Sequence, residues 1–162
     1  MFYIDKNIIN NSSLSCFLLI LFTEEYEKIS VDNRHPDLMQ FLIVLPLVWH
    51  KISRDVIKTK KSSTSLDSVI LENQLIKSNF KERVIDYTGA TLQGLNFAVS
   101  SGLLIKIEDN NKILFKRSSE KWPPNVKKNL PADMSKVITR IANWFYHMDS
   151  LSIYSLLLGK SL

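Results

Sequence analysis

The 162-residue chain holds one cysteine, four glycines and three histidines, and each scarcity closes off a class of chemistry. With Cys16 alone there is no disulfide framework and no multi-cysteine metal site. His35, His50 and His147 stand at no metal-ligand spacing with one another or with Cys16. Four glycines leave little material for a loop that cradles phosphate. Long hydrophobic runs are missing too. Cys16–Phe22 spans seven residues and Phe41–Trp49 nine, whereas a membrane-spanning helix needs about 20. The first run has the length of a signal-peptide core, but Asp5, Lys6 and three asparagines precede it instead of a basic segment, and Glu24, Glu25 and Glu27 close it. Both runs are expected to be helices buried on nearly all sides, in a cytoplasmic protein without a membrane partner.

What is present is a hydrophobic fraction of 45%, too high for intrinsic disorder, and enough length for one domain with its own core, taken over 1–162. Chemistry-bearing motifs are weak. Cys16 lies inside an apolar run, where a thiol is usually inert packing. Gly159-Lys160-Ser161 imitates the tail of a P-loop, yet Tyr154 occupies the place of its first glycine and no strand precedes it. Asn10 and Asn11 match a glycosylation pattern that has no meaning without export. Glu24, Glu25 and Glu27 are expected to be a solvated helix-end charge run rather than a cation site, and Asp55 beside His50 and Lys51 has nothing assembled around it. No enzymatic activity, cofactor or metal is expected.

Along the chain, Ser12 or Ser13 can cap a first helix running to about Ile29. Residues 30–36 read as a loop, with Pro36 suited to the first turn of a second helix that Pro46 should kink or end. Lys51–Lys61 is expected to be a short basic helix followed by a loop, and Ser65 can cap a helix in which Leu66, Val69, Ile70 and Ile76 share a face. Two short helices, Phe80–Tyr87 and Thr88–Ser101, should follow, the second stopped by Gly102. Leu103–Ile107 and Lys112–Lys116 read as a hairpin around Glu108–Asn111. Residues 117–132 form a polar connection in which Pro123 and Pro124 bar a helix. Met134, Val137, Ile138, Ile141, Ala142, Trp144, Phe145 and Met148 then mark one apolar face of a helix, with Arg140, Asn143 and His147 opposite. A last short helix from Asp149 or Ser150 ends at Gly159. The fold class is mainly α: a helical domain with one β-hairpin, a winged helix-turn-helix-like element at about 66–116, and a C-terminal helix pair at about 133–158.

Helix, turn, helix and hairpin is the order of a winged helix-turn-helix, with Leu92, Leu95 and Val99 inward and Thr91, Gln93 and Asn96 outward. Thr88–Ser101 carries no charged residue, which favours a structural role over base reading and counts against a free-standing winged-helix transcriptional regulator, the alternative function. Charge is concentrated elsewhere. Lys51, Arg54, Lys58, Lys60 and Lys61 face only Asp55 within residues 51–61, and six basic residues, among them Lys112, Lys116 and Arg117, face only Glu120 within 112–128. These eight named side chains are the candidates for DNA-backbone contact. Trp122, beside Lys121, suits either a core edge or a stacking surface.

The order of motifs resembles a known family. Leu42-Ile-Val-Leu-Pro-Leu-Val-Trp-His-Lys51 with Ile52–Ile57, then Thr64-Ser65-Leu66, Gly94–Leu104, Asn143-Trp-Phe-Tyr-His-Met-Asp149 and Ile153–Gly159 are similar to the middle component of three-component ABC systems. That family includes the small subunit of Lamassu-type anti-phage and anti-plasmid defence complexes. The resemblance covers nearly the whole chain. It implies a non-enzymatic partner of an SMC-like coiled-coil ATPase and of a nuclease-type effector, reaching DNA through the assembled complex. It supplies no catalytic residue. Trp144, Tyr146 and Tyr154 of its aromatic close are the candidates for partner docking.

Overall fold

The computed structural model describes residues 11–159. Among the described residues seven α-helices carry the fold: α1 (Ser12–Ile29), α2 (Leu38–Val48), α3 (Lys51–Ile57), α4 (Leu66–Glu72), α5 (Phe80–Ser100), α6 (Ala132–His147) and α7 (Ser150–Leu158). One hairpin, β1 (Leu104–Asp109) with β2 (Lys112–Arg117), separates α5 from α6, and 3₁₀ turns lie at Gln74–Lys77 and Lys127–Asn129.

The caps explain the boundaries. Asn11, not Ser12 or Ser13, starts α1, its side chain accepting from Leu14 N at 2.9 Å. At α2 a reciprocal capping box of Asp37 and Gln40 sets the start at Leu38, so Pro36 precedes the cap instead of occupying the first turn. Pro46 sits inside α2, and the helix stops two residues later. Its last carbonyls are met by guanidinium groups, Val48 O by Arg54 at 3.0 Å and Pro46 O by Arg83 at 2.5 Å. Ser65 caps α4 as expected, though Ile76 is buried from a separate 3₁₀ turn.

The largest departure is α5. The expected pair Phe80–Tyr87 and Thr88–Ser101 is one continuous helix of 21 residues, so no turn lies between Tyr87 and Thr88. Thr88 Oγ1 bonds back to Val84 O at 2.6 Å, and Gly89 is accommodated on the exposed side. Phe80, Arg83, Tyr87, Ala90, Thr91, Gly94, Leu95 and Ala98 form a single buried face over its length. That face reverses two positions expected from the sequence: Thr91 is buried, whereas Leu92 is 47% exposed. The end of α5 is as expected. Gly102 takes φ 79°, with Leu103 N donating to Ala98 O and Gly102 N to Val99 O, both at 3.0 Å, the paired bonds of a Schellman stop. Asn110 and Asn111, both left-handed, turn the hairpin between the paired Asp109 and Lys112. On its far side β2 meets Asp37 and Pro36, Phe115 N donating to Pro36 O at 3.1 Å.

The core gathers around α1. Leu18, Leu19, Ile20 and Phe22 are fully buried, because α5 and α6 both pack along this helix. Phe22 meets Phe41 at 5.2 Å and Phe145 at 5.9 Å edge to face, and Phe41 meets Phe115 at 5.2 Å. Both short apolar runs are therefore interior helices, and no helix among the described residues is long and apolar enough to cross a membrane. The closest approach is at Gly94, where an added Cβ would lie 2.3 Å from Ser15 Oγ and 3.0 Å from Cys16 N. A Cβ added at Gly89 would meet nothing within 4 Å. Gly94→Ala should therefore destabilise the fold by about 2 kcal/mol through overpacking. Gly89→Ala, on the exposed face of the same helix, should stabilise by up to about 1 kcal/mol. Urea denaturation of the two variants against the wild type separates the effects, and equal outcomes would contradict this packing.

Candidate functional site

Charge is the feature the sequence singles out, and folding divides the cations into two kinds. In α3, Lys51 pairs with Asp55, and Lys58, capping its C-terminal end, reaches both Asp55 at 3.3 Å and Asp133 of α6 at 3.1 Å. Asp55 is held below the usual carboxylate range, first by the Lys51 hydrogen bond and then by Lys58. Lys58 is raised, chiefly by Asp133 and then by Asp55. Arg54 turns back onto Val48 O. The three residues expected to offer one free basic face are thus engaged within the chain. Lys60 and Lys61 lie just beyond, and among the described residues neither is paired with a carboxylate.

The second cluster is organised by Glu24. Its carboxylate, 17% exposed at the side chain, accepts from Trp122 Nε1 at 2.7 Å, from Arg117 Nε at 3.4 Å and from the Lys127 ammonium. Neighbouring Glu27 accepts the Arg117 backbone N–H at 2.9 Å and contacts His35 Nδ1 at 3.0 Å. Arg117 also donates to Leu103 O at 2.5 Å and to Glu120 O at 2.9 Å. Burial alone would raise the Glu24 carboxyl. The hydrogen bonds from Lys127 and Trp122 and the charges of Lys127 and Lys28 together outweigh it and hold the group low. Glu24 and Glu27 are therefore internal acceptors that clamp the start of the polar connection to α1, not members of a solvated charge run. Arg117 is part of that clamp, and Trp122 rests at the core edge, 6.0 Å from Phe17. Lys112 and Lys116 remain on the hairpin without a carboxylate partner among the described residues.

The aromatic candidates for docking are interior. Trp144, Tyr146 and Tyr154 are 4%, 5% and 8% exposed. Their polar tips fasten loops: Trp144 Nε1 donates to Thr64 O at 2.8 Å, Tyr146 OH to Asp32 at 3.1 Å, and Tyr154 OH to Met39 O at 2.7 Å. Burial pushes the Tyr154 hydroxyl up to about 12 and the Cys16 thiol to about 11. Aromatic rings with one polar end suit such loop-fastening as well as they suit interfaces.

Two surfaces escaped the sequence reading. One is the exposed side of α5, where Ile85 is 64% and Leu92 47% exposed on one face and Phe97 49% exposed on its flank, with no charged residue from Thr88 to Ser101. The uncharged composition was visible, but not which apolar residues face outward. The other is the far side of α6, where Arg140 and Asn143 reach the carbonyls of Lys60 and Ser62. Their placement opposite the apolar face was legible, but their loop partners, some 80 residues away, were not. Among the described residues no group of three His, Cys, Asp or Glu side chains is placed to hold a metal ion.

Compared with known proteins, the chain matches the family model for Middle Component 3 of ABC-three component (ABC-3C) systems over residues 6–159. No curated protein and no solved structure gives a significant match.

The Glu24 clamp carries a pH dependence of defined sign. A carboxyl held low in the folded state adds stability that is present above its unfolded value of about 4.3 and is lost as the pH falls through the folded value. Glu24→Gln should cost about 1 kcal/mol at pH 7, solvent screening of a partly exposed site included. The gap to wild type should narrow toward pH 3. Urea unfolding followed by tryptophan fluorescence at the two pH values checks both statements.

Proposed function

The chain belongs to the Middle Component 3 family of ABC-three component systems, and on that premise we propose that it is a non-catalytic accessory subunit of a prokaryotic defence ATPase of the Lamassu kind. Its partners in this reading are an SMC-like coiled-coil ATPase and a nuclease-type effector. Its work is to join the ATPase heads, DNA and the effector against phage or plasmids in the cytoplasm.

The observation that carries the reading is the outward face of α5. A helix that leads into a hairpin and reads bases would bring Arg or Lys to its exposed side. From Thr88 onward this one exposes Leu92 and Phe97 and no charged side chain, and Ile85 is exposed one turn earlier among Lys81, Glu82 and Asp86. Ile85 and Leu92, two turns apart on one side of a rigid helix, with Phe97 exposed on its flank, suit a protein partner better than a DNA groove. The same feature weighs against a free-standing winged-helix regulator, as does the absence of a turn at Tyr87–Thr88. Further support comes from the polar side chains. The acidic cluster of α1 is consumed by Arg117, Trp122, Lys127 and His35, which fits a scaffold whose chemistry resides in other subunits.

Affinity purification of the tagged chain from its native host, with mass spectrometry, should recover a coiled-coil ATPase together with an effector. Leu92→Asp combined with Phe97→Asp should reduce that recovery at least tenfold while leaving the circular-dichroism melting curve within a few degrees. A chain that purifies alone and protects a defined DNA sequence would replace this reading with the regulator.

A further inference from the structure

Residues 58–64 form a strap laid along α6 and fastened at four points. The Lys58 ammonium meets Asp133 at 3.1 Å, and Arg140 Nε donates to Lys60 O. Asn143 Nδ2 donates to Ser62 O at 3.2 Å, and Trp144 Nε1 to Thr64 O at 2.8 Å. The carbonyls of alternate residues 60, 62 and 64 thus turn toward the helix, while Lys61, Ser62 and Ser63 are exposed. On α6, Lys136, Arg140, Asn143 and His147 follow at spacings of four, three and four, which places them on one ridge. Folding therefore sets Lys60 and Lys61 beside Lys136 and Arg140.

We infer that this composite strip is a contact for the phosphate backbone of duplex DNA. Charge and chemistry both select that occupant. Among the described residues, none of Lys60, Lys61, Lys136 and Arg140 is paired with a carboxylate. The guanidinium of Arg140 spends its Nε on the strap and keeps its two terminal nitrogens for a ligand. Ser62 and Ser63 add exposed hydroxyl donors next to the cations, on the Asn143 side, a combination that meets phosphate oxygens. The carboxylates near one end, Asp55 and Asp133, are occupied by Lys51 and Lys58. At the other end Asp67 and Asp149 border the cleft formed with Ser65, Asn143 and His147, and they mark where the cationic strip stops. The site is distinct from the α3 face, whose cations are engaged internally. It carries no base-reading arrangement, so recognition is independent of sequence and sensitive to salt.

The inference rests on the proposed role in a DNA-engaging complex, and its test separates the two. Fluorescence polarisation with a labelled duplex would be measured from 50 to 200 mM salt, on the full chain and on the complex recovered by affinity purification. The triple variant Lys60→Glu, Lys61→Glu, Lys136→Glu should bind at least tenfold more weakly at 50 mM salt, with the log–log salt slope reduced by about 2–3. Lys60→Arg, Lys61→Arg, Lys136→Arg should restore binding to within about twofold. Lys112→Glu with Lys116→Glu on the hairpin, away from the strip, should change it less than threefold. Circular dichroism checks that each variant is folded. Wild-type affinity and slope in the charge-reversed triple, or no salt-dependent binding by wild type in either preparation, would overturn the strip. The subunit reading is judged separately by recovery of the ATPase and effector, which the triple variant should leave intact.

Discussion

The close approach of α1 to α5 at Gly94 is the contact on which the other placements depend. Ser15 Oγ donates to Ala90 O at 2.7 Å, Ser12 Oγ to Gln93 at 2.7 Å, and a Cβ at position 94 would overlap Ser15 Oγ at 2.3 Å and crowd the Cys16 backbone nitrogen at 3.0 Å. Helix axes usually sit 8–10 Å apart according to the side chains between them. A glycine facing a serine permits the near end of that range. With α1 seated this deeply, its apolar run is enclosed and its opposite flank receives α6 through Phe22 and Phe145. Farther along α1, Glu24 meets Arg117 at the end of the hairpin.

From there the electrostatics follow. One half-buried carboxylate collects an indole, a guanidinium and an ammonium, and this draws the stretch from Arg117 to Lys127 back across α1. A buried arginine does the equivalent without a carboxylate. Arg83 donates to the carbonyls of Pro46, Ile76 and Ser78, closing the C-terminal end of α2 over the start of α5. Burial lowers its guanidinium to about 10, still charged at neutral pH. Half of the basic residues that suggest a polyanion surface are thus structural donors. Among the described residues, cations without a carboxylate partner include Lys60 and Lys61 on the strap, Lys136 and Arg140 on α6, Lys112 and Lys116 on the hairpin, and Lys121 and Lys128 in the polar connection.

Local signals in the chain proved readable where a few neighbouring residues decide the outcome. The hairpin with its turn within Glu108–Asn111, the stop at Gly102, the cap at Ser65, the start of the last helix at Asp149 or Ser150 and the apolar face of α6 each depend on residues within one or two turns. Where two local options were close in energy, long-range packing chose. Asn11 displaced Ser12 as the cap of α1, and α5 ran on through Gly89 because one buried face extends from Phe80 to Ala98. The aromatic close was legible as aromatic. Its direction was not, since Trp144, Tyr146 and Tyr154 have the same composition whether they fasten a loop or meet a partner.

Sequence alone determined that this is a mainly helical chain with a hairpin, apolar runs of seven and nine residues and an uncharged stretch after Thr88, because periodicity, caps and charge are properties of short windows. Its ordered motifs pointed to the family. Tertiary structure decided which charges are spent and which are available. Lys58 meets Asp133, Arg117 meets Glu24, and Arg140 meets the Lys60 carbonyl across 75, 93 and 80 residues. The reason is physical: a charge cluster counted along a chain carries no information about the opposite charges that folding brings to it, and a salt bridge or a hydrogen bond depends on distance in space.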